Sequence, residues 1–412
     1  MVSHQTVLSA PEGGRLLDFI WMSRMRVAVN ALFLQEPRTG TGRYVYNLIQ
    51  SLGRVDGVTE YLLLSPREPK IKPETPSSFR WETVRADKAR RGGEHIEKVW
   101  WEQRTFPLAG KRLDASVLHV PYFAPPLHSF RVPTIVTIHD IINLRLPAYR
   151  TSPAVQAYSQ LVARAARNAA MVITISEFSK SDIIELLGIP EDRIRVIRIA
   201  PAANYRPCTD PEVLRATREK YGLGERFVLN VGGMDQRKNI IGLIGAFAAV
   251  YYELNDRKLQ LFIAGDPDRL GSSPLFPDWR PVAASFGIAD QVLCAPVDEA
   301  DLPALYSATD CFAFSSVYEG FGLTPLEAMA CGAPVVSSDR ASLPEVIGNA
   351  GILANPEDTD RFGAAIQRVL TSAQLRNDLR ARGMARVRLF NWDQVAVDTS
   401  ALYTEVSGHS RD

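Results

Sequence analysis

The chain has 412 residues, 46% apolar and 23% charged, which excludes a disordered or fibrous protein and exceeds what one ordinary core holds. Its 47 basic and 46 acidic side chains leave a formal charge of +1, so the charge gives no argument for nucleic acid. Cys208, Cys294, Cys311 and Cys331 lack CxxC or Cys/His metal spacing and read as small buried residues in a reducing compartment.

No apolar run reaches the ~18 residues that a membrane helix needs. Residues 1–24 carry one short apolar patch, "LLDFIWM", broken by Asp18 and without a basic flank. They read as a loose arm and not as a signal peptide, and a cytoplasmic location is expected. From Met25 onward strand-like runs alternate with helical ones. "RVAVNALFL" precedes "GRYVYNLIQSL", "TIVTIHD" precedes an Ala-rich stretch, and "AAMVITIS" precedes "EFSKSDIIELLG". "FVLNVGG" then precedes "NIIGLIGAFAAVYYEL", "LQLFIAG" follows, and "DCFAFSS" leads into "PLEAMACG". Short β-rich runs between 3.6-period segments predict parallel βαβ units with helices on both faces.

The proline-rich, aperiodic stretch "IRIAPAANYRPCTDPE" over 197–212 is the expected linker. It divides the chain into a first α/β domain over 25–203, rejoined by a closing helix over 391–412, and a second over 204–390. Two Rossmann-like halves of this kind face each other across a cleft, and such sheets bind ligands at their carboxyl edges.

The candidate site residues fall at those edges. In "SSVYEGFGLTPLEAMACGAPV", Thr324 fits a helix N-cap, Pro325 the first position and Glu327 the third, a capping box with a purely structural use for Glu327. Glu319 has no such use: it lies in the turn between strand and helix. The amides of Phe321, Gly322 and Leu323 there suit an anionic group, and Gly320 and Gly322 allow a close approach.

"VLNVGGMDQRKNI" ends a strand in Gly232-Gly233 and sets Arg237 and Lys238 before a helix, either a solvated basic pair or a diphosphate grip. "EPRTGTGRYVYNLI" puts Gly40 and Gly42 just before a helix, weak as a dinucleotide signature but suited to a loop touching a sugar or diphosphate. "TIVTIHD" ends on His139 and Asp140, a poised edge or a satisfied strand end. Asp266-Pro267-Asp268 spells D-x-D but reads as a turn, so no metal and no cofactor are expected.

Taken together, "GTGRYVYNLI", "HDIINLRLPAYR", "ITISEFSKSDI", "VGGMDQRKNI" and "YEGFGLTPLEAMACGAPVVSSDRASLPEVIGNAGILANP" resemble the family 4 retaining glycosyltransferases of GT-B fold, from Met25 to about Trp392. The last segment carries that family's E-x7-E element. The resemblance implies that Glu327 meets the ribose of a nucleotide-sugar donor and that Glu319 lies near the transferred sugar. It further implies that Phe321, Gly322 and Leu323 offer amides to sugar and diphosphate, and that Lys238 with Arg237 neutralises the departing diphosphate. His139 would contact the donor sugar, and Gly42 would lie beneath the reaction centre.

Gly233 stands where many such proteins carry an arginine, with Arg237 left to substitute for it. Ser315 replaces a common proline, and Gly348-Asn349-Ala350 a common G-D-A.

The implied activity is metal-independent, retaining hexosyl transfer to a glycan or lipid-linked acceptor. GDP-mannose is the first donor, followed by UDP-glucose or UDP-N-acetylglucosamine. Retention could come from front-face attack or from a double displacement with Glu319 as nucleophile. A sugar-nucleotide epimerase of the same fold, or a non-catalytic nucleotide-sugar-binding partner, are the alternatives. "DKARRGGEHIEKVWWEQRTFPLAGKR" fits either an amphipathic helix burying its tryptophans or an interfacial helix resting on the inner membrane surface.

Overall fold

The computed structural model describes residues 25–85, 93–150 and 152–408. The arm expected over 1–24 and the basic residues 86–92 lie outside the described residues.

Among the described residues, thirteen parallel strands form two sheets. The first holds β1 (Arg26–Asn30), β2 (Glu60–Ser65), β3 (Phe79–Thr83), β4 (Val117–Val120), β5 (Thr134–Ile138), β6 (Met171–Thr174) and β7 (Ile194–Val196), in the order β3-β2-β1-β4-β5-β6-β7. The second holds β8 (Phe227–Val231), β9 (Gln260–Ala264), β10 (Val292–Ala295), β11 (Cys311–Phe314), β12 (Val335–Ser338) and β13 (Ile352–Ala354), in the order β10-β9-β8-β11-β12-β13. Strands such as β5, with every residue of "TIVTI" buried, cannot alternate polar and apolar, because helices cover both faces of a parallel sheet.

In each sheet the order reverses beside the first strand, between β1 and β4 and between β8 and β11. Loops leaving adjacent strands diverge there and open a crevice at the carboxyl edge.

The helices that bear on the site are α1 (Gly40–Val55), α2 (Glu177–Leu187), α3 (Ile240–Leu254), α4 (Leu302–Ala308), α5 (Leu323–Ala330) and α6 (Trp392–Gly408). The last helix returns to the first domain. Its Tyr403 hydroxyl lies 2.6 Å from His119 Nδ1, its Ser400 hydroxyl donates to Asp56 at 2.7 Å, and its Asp393 pairs with Arg54 at 2.6 Å.

Two local expectations are corrected. Gly40 and Gly42 lie inside the first turn of α1 and not before it, because Thr39 is the N-cap and its side chain accepts the Gly42 amide at 3.0 Å. The two tryptophans divide: Trp101 is fully buried and donates Nε1–H to Asn30 Oδ1 at 3.0 Å, whereas Trp100 is 39% exposed with the Arg104 guanidinium 5.6 Å from its ring. No helix among the described residues is long and apolar enough to cross a membrane.

The two sheets meet edge to edge. The Tyr318 hydroxyl donates to Asp182 Oδ2 at 2.7 Å, and Glu345 accepts from Arg198 Nε and from the Glu177 amide, each at 2.9 Å.

Candidate active site

The loops after β8 and β11 leave adjacent strands at the second domain's switch point, so residues far apart in sequence become neighbours. Glu319 comes from the loop after β11, and Arg237 and Lys238 from the turn after β8. The two loops are joined directly, the Val317 amide donating to the Arg237 carbonyl at 2.8 Å and the Ser315 hydroxyl to the Lys238 carbonyl at 2.8 Å. Ser315, where a proline was noted as common, therefore braces the lysine loop.

Three donors converge on Glu319 Oε1: Lys238 Nζ at 2.5 Å, Arg237 Nη1 at 2.7 Å and the Ser316 hydroxyl at 2.7 Å. Its Oε2 takes no hydrogen bond among the described residues. Burial alone would raise the Glu319 pKa, but Lys238 and Arg237 hold it at about 2. Lys238 is 7% exposed and also lies over the Phe314 ring at 4.8 Å. Burial lowers its pKa against the pull of Glu319. Arg237 reaches Asp235 Oδ1 at 3.1 Å as well, and the same oxygen accepts the Tyr149 hydroxyl from the first domain. The basic pair is thus anchored on carboxylates and not free in solvent.

The glycine loop before α5 is held by serines. Ser342 donates to the carbonyls of Glu319 at 2.8 Å and Phe321 at 2.7 Å, while Ser176 and Ser179 of the first domain donate to that of Gly320 at 2.6 and 3.0 Å. Each trans peptide then turns the amides of Phe321 and Gly322 away from the serines. Gly322 has φ 109°, the left-handed region that glycine favours, and is itself the N-cap of α5, which begins at Leu323.

The capping box expected at Thr324 and Glu327 is therefore absent. Helical backbone starts one residue before Thr324, and Glu327 lies on the buried face of α5, where Arg43 Nη1 of the first domain sits 3.6 Å from its carboxylate. Burial pushes Glu327 up to about 8; Arg43 opposes that and Glu299 adds to it.

His139 follows β5 at the facing edge. Its ring meets Tyr44 edge-on with centroids 4.6 Å apart, and the Tyr44 hydroxyl lies 3.3 Å from Thr137 Oγ1. His139 Nε2 is buried and makes no hydrogen bond among the described residues. Burial lowers its pKa to about 4, so the ring is neutral at pH 7.

A carbon added to Gly42 would meet the Glu36 carbonyl at 2.2 Å, whereas Gly40 has open space around it, and Gly233 is crowded by Asp235 Oδ2 at 2.9 Å. The structure thus brings together Glu319, Lys238 and Arg237, with Phe321, Gly322 and Leu323 on the same loop and His139 against Gly320. Glu327 lies one turn away with Arg43, and Gly40 and Gly42 share that arginine's helix. Asp266 accepts the Asp268 amide at 3.1 Å, the turn expected there.

Sequence reasoning did not single out Arg43, Ser316, Tyr44, Asp235 or Tyr149. Arg43 directly follows the glycines that drew notice, but its partners lie on the other domain.

A cavity of about 260 Å³ opens at the carboxyl edges of β1 and β2, between Phe33, Glu36, Arg67, Glu97 and Trp101, on the first domain's side. It is separate from the Glu319 cluster.

Two facing parallel α/β domains, with a cation-gripped carboxylate at the switch point of the second, define a GT-B transferase. The family described as "Glycosyl transferases group 1" matches residues 215–386, and "Glycosyltransferase Family 4" matches residues 38–199. The O-antigen chain mannosyltransferase B of Escherichia coli is 35% identical over 292 residues, covering 70% of this chain and 74% of that protein. The serotype-specific mannosyltransferase WbdA of the same organism is 30% identical over 268 residues, 64% of this chain and 32% of that one. Among solved structures, the sucrose-phosphate synthase from Thermosynechococcus elongatus superposes with a TM-score of 0.69 at 21% identity, over 94% of this chain and 100% of that one, a likeness of fold. The chain belongs to the family 4, group 1 glycosyltransferases.

Proposed function

We propose that the protein is a retaining, metal-independent hexosyltransferase that moves mannose from GDP-mannose to a glycan or lipid-linked acceptor. The observation that carries this reading is the convergence of Lys238, Arg237 and Ser316 on one oxygen of Glu319.

Breaking an anomeric C–O bond places negative charge on the leaving diphosphate. Lys238, Arg237 and the α5 N-terminus supply preorganised positive charge for it, the electrostatic contribution that is often largest in such catalysis. The open Oε2 of Glu319 accepts a hydroxyl of the transferred sugar, and the unpartnered Nε2 of His139 faces the same group from the first domain. Held at about 2 by two cations, the Glu319 carboxylate is a weak nucleophile. That favours front-face attack, in which the departing phosphate takes the acceptor's proton while the acceptor oxygen bonds to the anomeric carbon.

Mannose is taken from the names of the two Escherichia coli relatives. The cavity between Phe33 and Trp101 is the acceptor's side of the cleft, with the exposed Trp100 and Arg104 as the contact to a membrane that carries it.

The test is incubation of the purified protein with GDP- and UDP-sugars, with and without EDTA, following nucleoside diphosphate release and the anomeric configuration of the released or transferred sugar by NMR. Release from GDP-mannose that is unaffected by EDTA and yields the α anomer supports the reading. Binding without release points to a binding partner, interconversion of the nucleotide-sugar to an epimerase, and an inverted product contradicts retention.

A further inference from the structure

Arg43 belongs to the first domain, yet its guanidinium ends between two carboxylates of the second. Nη2 lies 3.1 Å from Glu299 Oε1 and Nη1 lies 3.6 Å from Glu327 Oε1. The second contact is an ion pair too long for a hydrogen bond. Glu327 is 4% exposed, with Arg43 as its ion-pair partner.

Three buried polar atoms nearby lack a partner: Arg43 Nε, the Tyr205 hydroxyl on the linker and the Tyr306 hydroxyl on α4. Buried polar groups are normally hydrogen-bonded, and a buried donor left without an acceptor is costly. A cluster with a carboxyl held by one long ion pair, an unused guanidinium N–H and two phenols is incomplete without a group that both donates and accepts.

We propose that Arg43 is a positioning residue for the nucleoside end of the donor, reaching across the cleft to hold the Glu327 carboxyl in place for the two hydroxyls of a ribose. The inference rests on the donor reading above and on the ribose contact that the resemblance implies for Glu327, and adds to them only Arg43, a residue from the opposite domain.

A vicinal diol presents two O–H donors to the carboxylate and two oxygens to the guanidinium and phenols, which matches the unsatisfied atoms on both sides. Because Arg43 sits on α1 and Glu327 on α5, filling the pocket ties donor binding to the contact between the domains.

The groups facing Glu327 are Arg43 from α1, Glu299 from the turn before α4, Tyr205 from the linker, Tyr306 from α4 and Cys331 at the end of α5. Arg43 is the only cation among them, so its removal lets burial and Glu299 drive Glu327 further toward the neutral acid, which accepts hydroxyls poorly.

The experiment is calorimetric titration of GDP, UDP and their 2′-deoxy analogues into wild type, Arg43→Ala, Arg43→Lys and Glu327→Gln between pH 7 and 9. In wild type the affinity for the ribonucleotide rises through pH 8 and levels toward pH 9. In Arg43→Ala it is about tenfold weaker at pH 7.5 and still rising at pH 9. Arg43→Lys recovers part of the loss, Glu327→Gln has no such pH dependence, and the deoxy analogues lose much less on substitution of Arg43. Melting temperatures of the unliganded variants exclude simple misfolding, and Arg43→Lys retains the charge if Arg43→Ala does not fold. Equal affinities and equal pH profiles in wild type and both Arg43 variants overturn this inference and leave the donor reading standing. No binding of any nucleoside diphosphate by wild type removes the donor reading itself.

Discussion

A side-chain carbon on Gly320 would lie 2.4 Å from the carbonyl oxygen of His139, across the boundary between the two sheets. The carbonyl is backbone and a Cβ is fixed by its own backbone, so no rotamer change relieves the overlap. Gly320→Ala must therefore part the domains at the cleft while leaving each core intact. The expected result is an unchanged circular dichroism spectrum, a larger radius of gyration by small-angle scattering, and turnover reduced about 10²-fold, the cost of a misplacement near 1 Å. Full activity in this variant would show that the Gly320–His139 contact is not part of the reactive state.

Asp56 ties the last helix to the first domain. Burial raises its pKa, but the Thr59 amide and the hydroxyls of Ser400 and Tyr61 outweigh that and hold it at about 2. A depressed carboxylate contributes stability that is present above its unfolded value of about 3.9 and is lost as pH falls toward 2. Asp56→Asn is expected to melt about 2–6 °C lower at pH 7 and to lose stability less steeply between pH 4 and 2 than wild type. Thermal scans across that range check both; parallel curves for the two proteins contradict the assignment.

His119 and His139 carry a pH dependence of the same sign in a higher window. Burial lowers them to about 3 and about 4, so both are neutral when folded, whereas an unfolded histidine titrates near 6.5. Between those values the unfolded chain binds protons that the folded chain refuses, and stability falls as pH is lowered from 6.5 to 4. Urea unfolding at pH 7 and pH 5 should show a clear loss at pH 5, smaller in His119→Asn. An unfolding free energy independent of pH in that window would count against buried neutral rings.

The placement of Lys238 and Glu319 at one sheet edge was legible because parallel strands fix where their loops emerge: "VLNVGG" and "CFAFSS" both read as strands, and their carboxyl ends share one edge. His139 was found by the same logic at the end of "TIVTI". Glu327 was misread because T-x-x-E is a local pattern, while the helix start is set by Gly322 at φ 109°, a conformation no spacing rule displays. Arg43 left no sequence signal at all, since its carboxylate partners are brought to it only by the docking of one domain on the other. Gly42 was noticed for a ligand's approach, but the atoms that exclude a side chain there are the carbonyls of Glu36 and Phe33, from its own preceding loop.

Lys238 acting on the departing diphosphate and Glu319 on the transferred sugar are the centre of the proposed reaction, and nucleoside diphosphate release from the preferred donor, compared in wild type, Lys238→Ala and Glu319→Ala, tests it most directly. Each substitution breaks a buried pair, so melting curves accompany the kinetics, and Glu319 keeps Arg237 as a partner when Lys238 is removed. The predicted result is a fall in kcat of about 10²–10³-fold in both variants with the fold retained. Release at the wild-type rate from folded Lys238→Ala would contradict it, because the diphosphate would then be leaving without the cation placed to receive it.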